Sequence, residues 1–200
     1  MRAAVLGILK RHQSLGIHPI QPDIFVHPER DPGCRLKGVK YLINFYNQYR
    51  YCILMFDFEG CGEHVATLKN LEMQLECELS QSAWDNRGKV IIIDPELENW
   101  VWSNSPHVDR ELGWSRSLQG LRDWLLQNEL LRSGQMKPDR PKEALERALR
   151  EVNKPRSSAM YLSLAGKVSL KRCRDEAFLR FVKTLRCWFG SDNKTNAAVT

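Results

Sequence analysis

Two rhythms of hydrophobic and polar positions run along this chain. Tyr51–Phe56 and Lys89–Ile93 are short apolar runs, whereas most of the remainder repeats apolar residues every three to four positions. Short runs rich in β-branched and aromatic residues predict strands buried on both faces. Between them, residues 63–79 place Val65, Leu68, Leu71, Leu75 and Leu79 at helical spacing. Glu72 and Glu76 lie one turn apart on the outer face of that helix and are expected in solvent. Strand, helix and strand predict a βαβ unit with parallel strands and a right-handed crossover. Both strands end abruptly in acid. Asp57, Glu59, Asp94, Glu96 and Glu98 are thus expected at the carboxyl edge of one sheet, where open α/β sheets place ligands.

The flanking segments follow simpler rules. Residues 3–11 predict a helix with Val5, Leu6 and Leu9 on one side and Gly16 as its stop. Residues 22–27 predict a brief strand. Residues 28–38, punctuated by Pro28, Pro32, Gly33 and Gly38, predict a loop exposing Arg30, Arg35 and Lys37. That loop is either substrate-facing or a plain connection. Residues 38–49 predict a helix with Val39, Leu42, Ile43 and Tyr46 inward. Gly60 and Gly62 suit a tight turn, and residues 85–88 another. Pro95 should end regular pairing, since it has no N–H to donate. Residues 96–102 suggest a short helix and residues 103–113 a loop. Helices follow around Leu118, Leu121, Trp124 and Leu125, then over 141–152, 157–165 and 175–189. Phe178, Phe181, Val182, Leu185 and Trp188 form the inner stripe of the last. The expected fold class is α/β, a mostly parallel sheet flanked by helices, with a helical C-terminal half. The expected division is an α/β core over 1–110, a helical region packed on it over 111–189, and a disordered tail over 190–200.

Composition adds a setting. No run reaches the eighteen apolar residues of a membrane span. No small-residue cleavage site follows the apolar start, so no signal peptide is expected. Cysteines 34, 52, 61, 77, 173 and 187 form no C-x-x-C pair, which suits reduced thiols in the cytoplasm rather than disulfides or zinc. The net charge of +6 is uneven: residues 51–100 hold three Lys/Arg against ten Asp/Glu, and the flanks are basic. A metal-dependent enzyme acting on phosphates shows that pattern, and so does an ordinary solvated acidic helix.

Mg²⁺ or Mn²⁺ takes oxygen ligands, usually one or two carboxylates with water and phosphate oxygens. Asp57 and Glu59, two apart at a strand end, with Asp94 on the neighbouring strand, are the candidate metal ligands. Glu59 and Glu96 are the candidate catalytic groups. Gly60 and Gly62 leave room for a phosphate beside a helix N-terminus. Arg30, Arg35, Lys37, Arg156, Ser157 and Ser158 are the candidate phosphate-binding residues, with helix capping an equal account of one serine. Glu98 has an arginine partner as its plain alternative. Asp94 has a turn or cap role as its own. His107 is a possible base or ligand. Trp100, Trp102 and Trp114 suit the core better than base stacking. G-x-S-x-G, P-loop and G-x-G-x-x-G patterns are absent.

Asp57-Phe-Glu-Gly-Cys-Gly62 resembles the D-x-D-x-x-G element of Toprim domains, the metal-binding fold of topoisomerases, primases and several defence nucleases. Together with Ile93–Val108, Lys154–Ala159 and Val168–Cys173, it resembles the small Toprim-related protein, the fourth component, of bacterial methylation-associated anti-phage defence systems. The likeness spans residues 1–189, and its most distinctive piece is Asp94-Pro-Glu-Leu-Glu98. The resemblance implies a cytoplasmic role in phage defence beside a DNA methyltransferase module and other subunits. It also implies either a metal-dependent nuclease acting on nucleic acid, DNA first, or a non-catalytic binding or adaptor subunit. Toprim enzymes place a catalytic Glu after a strand that precedes their first helix. This sequence starts at that helix, so the strand and its acid are expected to be missing from it.

Overall fold

The computed structural model describes residues 1–64, 66–103, 105–115, 117 and 119–190. Val65, Leu118 and the tail from 191, each named above, lie outside the described residues. The fold is mixed α/β, and contacts divide it into two compact units: Ile24–Glu96, and Met1–Asp23 with Leu97–Thr200. The division therefore falls elsewhere than the boundary expected at residue 110. The N-terminal helix packs with the C-terminal helices, because Gly7 lets its backbone close on one of them.

The first unit is the βαβ element. Strands β1 (Cys52–Asp57) and β2 (Gly88–Ile93) pair in parallel, with Cys52 opposite Gly88 and Asp57 opposite Ile93. Helix α3 (Arg30–Ile43) packs on β1, and helix α4 (Leu68–Ser80) packs on β2. Cys52, Leu54, Phe56, Val90 and Ile92 share one sheet face and form a buried cluster with Val39, Leu71, Leu75, Leu79 and Trp84. Gly38 lets α3 approach: a Cβ there would lie 2.6 Å from Leu54 Cδ1.

Four expectations for this unit are corrected. Residues 22–27 pair with no strand; Phe25 instead stacks on Phe45 with centroids 4.5 Å apart. Residues 30–38 are helix rather than loop. Pro32 falls in the first turn, where its missing N–H has no partner to lose, and Gly33 sits where a Cβ would strike the His27 ring. Ile43 and Tyr46, expected inside, are each 38% exposed because α3 ends at Ile43. Helix α4 starts at Leu68 rather than near Glu63, with Thr67 as its cap accepting from the Asn70 amide at 3.3 Å.

The second unit is helical among its described residues. It holds α1 (Arg2–Leu9), α2 (His12–Leu15), α5 (Pro106–Leu112), α6 (Leu121–Gln127), α7 (Pro141–Glu151), α8 (Ser158–Lys167) and α9 (Glu176–Phe189). A 3-10 turn at Leu97–Trp100 matches the short helix expected after Pro95. Helix α5 stands where a loop was expected. Its start and stop signals are present, with Ser105 as cap, Pro106 in the first turn and Gly113 left-handed at φ 91°. Seven residues are too few to show a hydrophobic period. Helix α8 runs on to Lys167, past the end expected at residue 165. Among the described residues, no helix is long and apolar enough to cross a membrane.

Candidate functional site

The acidic edge forms as the pattern of strands implies. Pairing outlasts the strands: the Phe58 amide donates to Ile93 O at 2.8 Å and the Glu59 amide to Pro95 O at 2.9 Å. Asp57, Glu59, Asp94 and Glu96 are thereby held at one end of a two-stranded sheet. Their side chains are not equivalent. Glu59 and Asp94 are exposed, Asp57 is half-buried, and Glu96 is only 7% exposed.

Strand geometry then places the proposed ligands. Asp57 is in register with Ile93, which puts it on the face of Ile53, Met55 and Ile91. Asp94 lies one residue past the end of β2, at the bend before Pro95. Among the described residues, no three or more His, Cys, Asp and Glu side chains are grouped as metal ligands. Edge proximity of the backbone is met, without a group of three such side chains. No step through Mg²⁺ or Mn²⁺ follows from this arrangement.

The glycine loop has its own structure. Gly60 and Gly62 adopt φ of 86° and 79°, and a Cβ on Gly60 would meet nothing within 4 Å. Arg35 ties the loop to α3. Its Nε donates to Cys61 O at 2.8 Å, its Nη2 to Gly62 O at 3.2 Å, and its Nη1 pairs with Glu63 at 3.2 Å. Glu63 also accepts from the His64 and Ala66 amides, at 2.9 and 3.0 Å. Because α4 begins only at Leu68, its N-terminus does not stand directly behind the glycines.

The remaining phosphate candidates divide between the units. Arg30, exposed at φ 56°, opens α3, and Lys37 pairs with Glu29 at 2.5 Å. Arg35 is engaged as above, so these three stand on helix α3 rather than in an exposed loop. In the helical unit, Arg156 meets Glu98 at 2.5 Å and Glu146 at 3.1 Å, and its Nε donates to the Tyr161 hydroxyl at 2.7 Å. Burial opposes the Arg156 charge, but Tyr161, Glu98 and Glu146 outweigh it and hold the guanidinium above its ordinary value. Ser157 accepts from the Met160 amide at 3.2 Å and caps α8; Ser158 is the exposed first residue of that helix.

The other aromatic and titratable candidates have structural roles. Trp102 and Trp114 are buried, with indole N–H groups on Pro141 O at 2.8 Å and Ala148 O at 3.1 Å. Trp100 donates to Asp175 at 2.8 Å and packs on Phe178 and Phe181. His107 is half-buried, and its Nδ1 has no hydrogen-bond partner among the described residues.

Two carboxylates missed by the sequence reading guard the sheet edges. The Asp31 carboxylate accepts from the Asp57 amide at 3.3 Å, on the side of β1 away from β2. Glu76, expected in solvent, accepts from the Val90 amide at 3.0 Å and the Lys89 ammonium at 2.7 Å. Period alone hides this role, because Glu76 lies at the flank of the α4 stripe rather than opposite it. Comparison with protein-family models, curated proteins and solved structures returns no match to this chain.

Proposed function

We propose that this protein is a nucleic-acid-binding component of a bacterial anti-phage defence system, working beside a DNA methyltransferase module and other subunits. The observation that carries the binding part is how charge divides between the units. Of the 30 Lys and Arg, 22 fall in the helical unit, against 13 of the 24 Asp and Glu, a net +9. The βαβ unit holds the other 8 and 11, a net −3. A polyanion is drawn to the first and repelled by the second. The defence setting rests on the resemblance of Phe56–Gly62, Ile93–Val108, Lys154–Ala159 and Val168–Cys173. A cytoplasmic location belongs to the same reading and is supported by six free cysteines.

DNA binding by fluorescence anisotropy tests it. Affinity should fall steeply between about 50 and 200 mM salt, as released counterions require. It should be the same with EDTA as with Mg²⁺. Binding that ignores salt, or no binding at all, ends the proposal. A second reading, the Toprim-like nuclease, is favoured by the four acids held at one sheet edge. Mg²⁺- or Mn²⁺-dependent cleavage that disappears in Asp57→Ala would replace the binding reading with it.

A further inference from the structure

The helical unit holds a partly open cavity of about 450 Å³. That lies within the range of roughly 300–1,000 Å³ typical of small-molecule sites. Its interior is mainly apolar, with Trp100, Trp102, Leu164 and Phe178 among its walls. Lys137, Arg172 and Arg174 also line it, and among its described lining residues there is no Asp or Glu.

The two arginines differ from most cations already described. Arg35, Lys37, Lys89, Arg156 and Lys167 each face a carboxylate. Arg172 and Arg174 are exposed and form no ion pair among the described residues. Asp175 is the nearest acid in sequence, yet its oxygens already accept from Asn99 at 2.7 Å, Trp100 at 2.8 Å and the Phe178 amide at 2.9 Å. Lys137 donates to Asn99 O at 2.7 Å and forms no ion pair among the described residues. The cavity thus combines an aromatic and aliphatic interior with three cations and the hydroxyls of Ser103, Ser105 and Ser169.

From this we propose that the cavity binds a nucleoside phosphate, with the base among the apolar walls and the phosphate at Arg172, Arg174 and Lys137. A sugar phosphate would leave the apolar walls unmatched, and an uncharged aromatic would leave the cations unmatched. Guanidinium groups suit phosphate because their planar donors engage two oxygens at once. The site lies in one unit, and its ligand is a mononucleotide rather than a strand. It does not depend on the DNA-binding reading.

Titration calorimetry of the full chain with the four common nucleoside 5′-monophosphates and their parent nucleosides tests this. At least one monophosphate should bind, and its nucleoside should bind at least about tenfold more weakly, as loss of charge-assisted contacts requires. Arg172→Ala with Arg174→Ala should weaken the monophosphate by a similar factor; both sites are exposed, so the fold should tolerate them. Ser169→Trp, filling the cavity from its lining, should abolish binding while circular dichroism stays unchanged. The proposal is overturned if no monophosphate binds, if nucleosides bind equally well, or if either variant leaves affinity intact. Preference for a fatty-acid anion over every nucleotide would also overturn it.

Discussion

Glu98 and Arg156, 58 positions apart, meet at 2.5 Å inside the helical unit, and the Tyr161 hydroxyl donates to the same Glu98 oxygen at 2.5 Å. Glu98 is only 2% exposed, so its charge depends on these two partners. The contact joins the segment after Pro95 to the start of α8. It also takes one acid from the expected edge cluster and one arginine from the expected phosphate set.

Removing the cation should therefore cost stability. Breaking a buried pair from one side typically costs about 3–5 kcal/mol. Arg156 is 40% exposed and Tyr161 remains, so Arg156→Ala should cost about 2 kcal/mol. Urea unfolding measures it. A loss under about 0.5 kcal/mol would mean the pair contributes little.

Alkaline pH should destabilise the fold. Burial pushes the Cys34 thiol up to about 11 and the Cys52 thiol up to about 12. Burial, then the Glu98 charge, also raises Tyr161. Each group stays protonated in the folded chain after its unfolded counterpart has ionised. Their contribution is complete below the unfolded values, about 8.5 for Cys and about 10 for Tyr. It is lost as pH rises towards the folded ones. Urea midpoints should fall from pH 8 to pH 10.5, and Cys52→Ala should flatten the decline. A flat profile in the parent protein would refute this.

Gly7→Ala should destabilise despite the better helix propensity of alanine. A Cβ at Gly7 would lie 2.6 Å from Ala165 Cβ and 2.9 Å from Leu162 O, so α1 must move off α8. Overpacking of this kind costs about 1–3 kcal/mol. Thermal unfolding checks it, and a raised melting temperature would show the helices less tightly apposed.

Glu76→Ala should uncover the Val90 amide at the outer edge of β2. The lost acceptor costs about 1–2 kcal/mol, and the bare edge invites pairing between chains. Unfolding and light scattering report both effects; Glu76→Gln, which keeps an acceptor for the amide, should rescue most of them. If Ala and Gln behave alike, the edge contact is not the cause.

The sequence by itself determined the βαβ element, the parallel pairing, the acids at its carboxyl edge and most of the later helices. These depend on local chemistry: runs of Ile and Val, periodic leucines, and glycines where φ must be positive. Two helices escaped it. In α3, Pro32 and Gly33 fall at the first turn and Gly38 at the close approach to Leu54, and α5 is too brief to show a period. What only the tertiary structure decided is where charged side chains go, since their partners are distant in sequence. Arg35 went to the glycine loop, Glu76 to a strand edge and Arg156 to Glu98, while Arg172 and Arg174 line a cavity with no ion pair among the described residues. A carboxylate's place in the chain fixes its backbone, but its chemistry follows from which donors the folded chain brings within about 3 Å of it.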